Sequence, residues 1–104
     1  MSRGPDATTL LERALLADAT ACGAEVRVES AAARRWASAT FVGARHSFAL
    51  SGPSGDAALR WISALPEAEF GLRGHIVADL AVISHVRDDH RFTATIEVLT
   101  VEES

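Results

Sequence analysis

The sequence contains no lysine, asparagine, glutamine or tyrosine, and it has only one cysteine, Cys22, in 104 residues. A single cysteine excludes an intrachain disulfide, and with it the disulfide-stapled class of small secreted domains. No apolar run is long enough to span a bilayer, and residues 1–6 lack the apolar core of a signal peptide. We therefore expect a cytoplasmic protein that has no membrane partner.

An excess of basic charge is also missing. Ten arginines supply all of the basic side chains against 14 acidic ones, which gives a net charge of −4 and a pI near 5.5. This balance argues against a nucleic-acid partner, because nucleic-acid binding needs a basic surface. The exclusive use of arginine, with abundant alanine, is a bacterial-like composition typical of GC-rich DNA, and it carries no information about chemistry.

The length of the chain fits one domain, residues 1–104, and is too short for two. A hydrophobic fraction of 48% excludes the disordered class of chain, since enough apolar surface is present to form a core. Residues 1–5 precede the first periodic pattern, and we expect them to form a flexible arm.

Two stretches have the apolar spacing of amphipathic helices. Either Asp6 or Thr9 could cap the first helix, and Gly23 follows its last apolar residue, where a left-handed C-cap glycine belongs. The second helix is predicted over about 55–65. Pro66 prevents its continuation, because proline cannot donate the next helical hydrogen bond.

The stretches between the helices alternate with the period of β-strands. Residues 25–30 predict a short strand, whereas 36–42 and 47–51 predict a hairpin with its turn at 43–46. The alanine-rich stretch 31–35 could be a connection, a bulge or a continuing strand. Whether 25–30 is a separate strand therefore stays open.

The last third of the chain, residues 74–103, predicts one long β-hairpin. The Asp-Asp-His sequence at 88–90 suits a three-residue loop, since these residue types tolerate the left-handed conformation. A two-residue loop would set apolar side chains against polar ones, so the three-residue register is preferred. That register pairs Val86 with Phe92, Val82 with Ile96, and Leu80 with Val98.

These elements predict an α+β fold in the order α-β-β-(β)-α-β-β. We expect an antiparallel sheet of four to five strands, two helices on one face, and a long C-terminal hairpin. The other sheet face, here called the outer face, is unusually apolar for a face in water. The residues that we assign to it as an interface are Trp36, Val77, Ile83, Leu99 and Val101.

The outer face is expected to be covered, because burying each of its aliphatic side chains would contribute about 1.5–3 kcal/mol. A symmetry mate, a segment of the same chain or a ligand could cover it. Both helices are needed on the first face, so a second copy of the chain is the most economical cover. Trp36 could instead close the edge of the core.

Asp79 and Glu97 are the candidate catalytic residues, because the preferred register makes them diagonal neighbours on the outer face. Paired carboxylates there could perform general acid–base chemistry, or they could simply face water at the rim of an interface. His85 and His90 flank the hairpin turn as candidate ligands for a surface metal. Cys22 ends a helix, where the dipole disfavours a thiolate, and we expect a packed thiol.

The sequence alone does not determine a function. We expect a small soluble non-enzymatic binding or assembly domain, homodimeric through the outer face, that needs no cofactor. The alternative is a small-molecule enzyme or ligand-binding domain that uses Asp79 and Glu97 in a pocket on the same face.

Overall fold

The computed structural model describes residues 6–103, so the predicted arm at 1–5 lies outside the described residues. The elements are α1 (Ala7–Ala21), β1 (Arg27–Ala37), β2 (Val42–Pro53), α2 (Asp56–Ala64), β3 (Gly71–Leu72), β4 (His75–Arg87) and β5 (Arg91–Glu102). The strands form one antiparallel sheet in the order β1-β2-β5-β4-β3, which confirms the α+β prediction. Within 6–103, no helix is both long enough and apolar enough to cross a membrane.

The N-cap of helix α1 is Asp6 and not Thr9. The Asp6 carboxylate accepts a hydrogen bond from the Thr9 backbone N–H at 2.9 Å, and this bond lowers the pKa of Asp6. At the other end, Gly23 has a φ of 80°, as predicted for the residue after the helix. The Ala24 N–H then reaches back to the Ala19 carbonyl, as in a Schellman motif. The buried face of α1 consists of Ala7, Leu11, Leu15 and Ala19.

Both helices pack against one face of the sheet, here called the helix face. Trp61 of α2 is only 2% exposed, and its Nε1 donates to Asp18 of α1 at 2.9 Å. Pro66 lies in a short 3₁₀ turn, Leu65–Glu67, that ends α2. The largest residues of the common core are Phe48, Leu50, Trp61, Ile62, Leu65, Leu80, Phe92, Ile96 and Val98, with Leu11 and Leu15 from α1.

The first hairpin is longer than predicted, and its turn is elsewhere. Residues 43–46 belong to β2, and the turn lies at 38–41, where the Ser38 N–H donates to the Phe41 carbonyl at 2.7 Å. Residues 31–35 continue β1, so 25–30 is not a separate strand, and the fifth strand is β3. A single register shift between Val28 and Ser30 joins the two parts of β1.

The turn was misplaced because Gly43 resembles a turn residue, although it serves a packing role. A Cβ at Gly43 would lie 2.0 Å from the Thr100 carbonyl oxygen and 2.9 Å from Cζ2 of Trp36. The glycine is thus required by the close approach of β5 and of the Trp36 ring, and not by backbone conformation.

The long hairpin formed by β4 and β5 has the predicted register only in its centre. Val82 pairs with Ile96 and Leu80 pairs with Val98, as expected. Two register shifts, between Val77 and Asp79 and between Val82 and Ser84, each add a residue to β4. These bulges change the pairs at both ends, so Val86 opposes Thr93 and not Phe92.

Candidate functional site

The outer face can be described as rows of directly paired residues that run across the strands. Every second residue of β5 from Thr93 to Val101 lies on the outer face. The residues that alternate with them, from Phe92 to Thr100, are buried under the helices on the opposite face. The first row is apolar, and the second contains charged residues as well as Leu99. The first row contains Trp36, Gly43, Val101 and Ile76, and the second contains Arg34, Arg45, Leu99 and Asp79.

The predicted interface residues are not all on this face. Leu99 and Val101 lie there and are half-buried, whereas the assignment of Val77 was wrong. The first bulge pairs Val77 with Thr100 on the helix face, where Val77 packs against the core. Its neighbour Ile76 takes the outward position and is 53% exposed. Ile83 has no direct partner on β5, because it is the extra residue of the second bulge, and it is 55% exposed.

Trp36 lies at the β1 end of the apolar row. Its ring covers Gly43, the residue directly paired with it on β2. The indole Nε1 is buried but has no hydrogen-bond partner in the part of the chain that the structure describes. A buried indole N–H normally finds an acceptor, so Trp36 has an unused donor at the edge of this face.

Around Leu99, the charged residues of the outer face are separated by sign. Arg34 and Arg45 lie on β1 and β2, whereas Glu97 and Asp79 lie on β5 and β4. Asp79 opposes Leu99 and Ala81 opposes Glu97, so the two carboxylates are the diagonal neighbours that the sequence predicted. None of these four side chains makes an ion pair with another described residue.

The predicted metal ligands at the hairpin turn do not converge. His85 faces the core side and packs edge-on against Phe92, with ring centroids 6.2 Å apart, while His90 is exposed. The Asp88 carboxylate accepts from the His90 and Arg91 backbone N–H groups, which lowers its pKa. Between residues 6 and 103, no group of three or more His, Cys, Asp or Glu could hold a metal.

Cys22 is exposed, so the prediction of a packed thiol was also wrong. It is the C-cap of α1 and lies beyond the last buried residue of that helix, Ala19. The helical pattern was extended by one turn too many, because Cys22 continues the spacing of the buried face.

A cleft of about 760 Å³ opens on the helix face, where the sheet extends past the N-terminus of α1. We call it the α1 cleft. Small and apolar residues form most of its surface, and neither Asp79 nor Glu97 contributes to it. Its lining comprises Ala7, Leu10, Ala33, Gly43, Ala44 and Gly74 with the polar residues Asp6, Thr8, Arg35, His46, Arg73, His75, Thr100 and Glu102.

His46 is the buried polar residue in the wall of this cleft, and it is only 1% exposed. Its Nδ1 lies 2.9 Å from the Thr8 hydroxyl, and its Nε2 lies 2.9 Å from the Thr100 hydroxyl. Because Thr100 donates its own proton to the Ala44 carbonyl, the network favours the neutral tautomer with hydrogen on Nε2. Burial lowers the pKa of His46, since a charged imidazolium would lose hydration there.

The sequence interpretation missed His46, which it assigned to a turn. The signal was available, because His46, Phe48 and Leu50 alternate, and all three are buried. A polar residue at a core position of a strand needs hydrogen-bond partners. Thr8 and Thr100, which supply them, are 38 and 54 residues away in the chain.

Arg73 and His75 lie together at one end of the α1 cleft. They flank Gly74, whose φ of 81° allows the tight turn that joins β3 to β4. The Nδ1 atom of His75 is buried and has no hydrogen-bond partner among residues 6–103. Arg73 makes no ion pair with any described residue either.

The two carboxylates of the cleft are already engaged. Glu102 accepts from the Arg35 guanidinium at 3.3 Å, and Asp6 caps α1. Arg73 is therefore the one cleft cation of the described chain whose charge is not balanced by an ion pair.

Comparison with known proteins adds no functional information, because no family model, curated protein or solved structure gives a significant match to this chain.

Proposed function

We propose that the protein is a non-enzymatic assembly domain that forms a homodimer through its outer face. The observation that supports this proposal is the pattern of that face around β5. Aliphatic side chains lie along it, exposed at Ile76 and Val86 of β4 and half-buried at Leu99 and Val101 of β5. Arg45 and Asp79, which make no ion pair with another described residue, lie on either side of Leu99. Such a patch is a common feature of interaction surfaces.

A two-fold axis parallel to β5 would use this pattern. Strands β2 and β4 are the two neighbours of β5, so the rotation places β2 of one copy over β4 of the other. Arg45 and Asp79 share a row with Leu99, and they would therefore meet across the interface. Leu99 would pack against the partner's Leu99, near the axis, as expected for an isologous contact.

The edges of the face fit the same arrangement. Trp36 on β1 would contact Ile76 and β3 of the partner, and tryptophan is a frequent anchor of protein interfaces. Two stacked sheets would exclude water from the apolar row of each copy. The exposed single thiol, Cys22, fits a reducing compartment, and we propose a cytoplasmic location.

The test is the oligomeric state of the full-length protein in solution. Size-exclusion chromatography with light scattering should give the mass of a dimer at micromolar concentration. Leu99→Asp should yield a monomer, because the two copies would bury two like-charged carboxylates side by side near the axis, at a cost of roughly a hundredfold or more in Kd.

Phe41→Asp provides the control for this substitution. Phe41 is also an exposed apolar residue, but it lies in the turn between β1 and β2, outside the paired rows of the outer face. The Phe41→Asp protein should remain dimeric. A monomeric wild type, or a Leu99→Asp protein that is folded by circular dichroism and still dimeric, would exclude the proposal.

A further inference from the structure

We propose that the α1 cleft is a binding site for a small organic monoanion, a carboxylate attached to an apolar body. The cleft volume of about 760 Å³ is within the range of small-molecule sites. The cleft lies on the helix face, so this proposal is independent of association through the outer face. It also involves no metal, since the described residues contain no group able to hold one.

The charge of the ligand follows from which charged groups of the cleft already have a partner. Glu102 is paired with Arg35, and the Asp6 carboxylate is held at the N-terminus of α1 by its hydrogen bond to Thr9. His46 is buried with both nitrogens hydrogen-bonded to hydroxyls, and burial keeps it neutral. Arg73 is the one cation among the described cleft residues without an ion pair, and a ligand carboxylate would supply one. Asp6 keeps its negative charge, so a second negative charge on the ligand would be repelled.

Two hydrogen-bond donors at one end of the cleft indicate that the charged group of the ligand is a carboxylate. Arg73 and His75 flank the Gly74 turn, and Nδ1 of His75 is buried without a partner. A carboxylate has two oxygens, so it can accept from the guanidinium and from an Nδ1–H group at the same time. Binding would satisfy a polar atom that otherwise remains unpaired in the interior.

The rest of the cleft wall indicates that the body of the ligand is apolar. Ala7, Leu10, Ala33 and Ala44 lie on both sides of the cleft and carry no polar side-chain atoms. The hydroxyls of Thr8 and Thr100 are turned toward His46 and are not free to bind a polar ligand. The His46 network therefore acts as a rigid support that keeps this wall in place, and His46 is a positioning residue.

The experiment is an NMR titration of the full-length ¹⁵N-labelled protein at constant ionic strength. Benzoate and hexanoate are the probes, benzyl alcohol and 1-hexanol are their neutral counterparts, and inorganic phosphate is the anion without an apolar body. Both carboxylates should shift the amide signals of Gly43, Gly74 and His75 in a saturable manner. The neutral alcohols should bind at least about tenfold more weakly, because they lack the charge-assisted hydrogen bonds.

Three variants make the test specific. Arg73→Gln should weaken benzoate binding about tenfold, whereas Arg60→Gln, on the exposed side of α2, should leave it unchanged. Ala33→Leu, on an exposed position of β1, should fill part of the cleft and weaken benzoate and hexanoate without unfolding the protein. Circular dichroism of each variant checks the fold.

Several results would overturn the proposal. One is the absence of saturable shifts with either carboxylate, and another is a set of shifted signals away from the cleft. A third is phosphate binding as tightly as benzoate with no effect of Ala33→Leu, which would mean that Arg73 attracts any anion at the surface.

Discussion

At the scale of single residues, the most informative side chain is His46. Its two nitrogens join α1 to β5 through Thr8 and Thr100, so it connects the helix layer to the sheet within the core. The groups that influence its charge are Asp6, which favours the protonated form, and His75, which disfavours it. Burial is the largest effect, and the pKa of His46 lies below the ordinary value near 6.5.

This depressed pKa makes stability depend on pH. As the pH falls below about 6.5, the unfolded chain takes up a proton on His46 while the native protein does not. Stability should therefore decrease with falling pH until the native His46 also titrates. His46→Gln removes this proton uptake, so its free energy of unfolding should decrease less between pH 7.5 and 5.5 than that of the wild type.

Urea denaturation of both proteins at several pH values measures the difference. The other three histidines are present in both proteins, so their contributions cancel in the comparison. Glutamine retains one donor and one acceptor, which limits the loss at pH 7.5. Parallel pH curves for the two proteins would show that His46 is not the group responsible.

Gly43 gives a second prediction at this scale. A Cβ there would approach the Thr100 carbonyl oxygen to 2.0 Å, and this backbone atom cannot move away without breaking the pairing of β2 with β5. Gly43→Ala should therefore destabilise the protein by on the order of 2–4 kcal/mol in urea denaturation.

Gly71→Ala is the matched substitution, since a Cβ at Gly71 would meet nothing within 4 Å. It should be neutral or slightly stabilising, because alanine reduces the freedom of the unfolded chain. Equal losses for the two variants would mean that the close approach at Gly43 is not what selects glycine.

At the scale of the elements, α1 shows that local sequence signals can predict a helix without identifying its N-cap. Both Asp6 and Thr9 had the chemistry of an N-cap, and only the structure chose between them. Asp6→Ala should lower the free energy of unfolding by about 1 kcal/mol, whereas Thr9→Ala should have a much smaller effect. Thermal denaturation of the two variants decides this point, and the reverse order would place the cap at Thr9.

The strands show where sequence reasoning succeeds and where it fails. Alternation identified the long C-terminal hairpin and its central pairs, such as Leu80 with Val98, because one face is continuously apolar. The bulges could not be predicted, since a bulge depends on how β4 curves against the core and leaves no clear pattern in composition. The misassigned face of Val77 follows directly from the first bulge.

The turn of the first hairpin was predicted wrongly for a different reason. Alternation ran on through Ser38-Ala39-Thr40-Phe41, which contains neither glycine nor proline, and so the true turn had no signal. Because of this error, His46 was assigned to a turn and not to the core, and the α1 cleft was not predicted. The outer face could be predicted because it follows from the alternation of side chains along β5 alone. The cleft could not, because it depends on contacts between residues distant in sequence.

At the scale of the whole molecule, the two faces of the sheet are suited to different tasks. The helix face contains the core and, beyond the end of α1, the α1 cleft. The outer face has no covering element in the described chain, and around Leu99 its charges are separated by sign, with basic residues on β1 and β2 and acidic ones on β5 and β4. Its apolar row alone would permit several relative orientations of two copies, so the charges must select the orientation.

This orientation can be tested by reversing charge on each side of the axis. In the proposed dimer, Arg45 of one copy meets the partner's Asp79, so Arg45→Glu places two acidic groups at each contact and Asp79→Arg places two basic ones. Each single variant should be predominantly monomeric in light scattering at micromolar concentration. An equimolar mixture should form a heterodimer, because each like-charged pair is then replaced by an acid–base pair.

The double variant Arg45→Glu/Asp79→Arg should again form a homodimer, since the charges are exchanged but remain complementary. Recovery in the mixture cannot come from restored folding, because each variant keeps its own sequence. It therefore reports contact between β2 of one copy and β4 of the other. If the single variants dissociate but the mixture stays monomeric, the two copies associate about an axis other than the one parallel to β5.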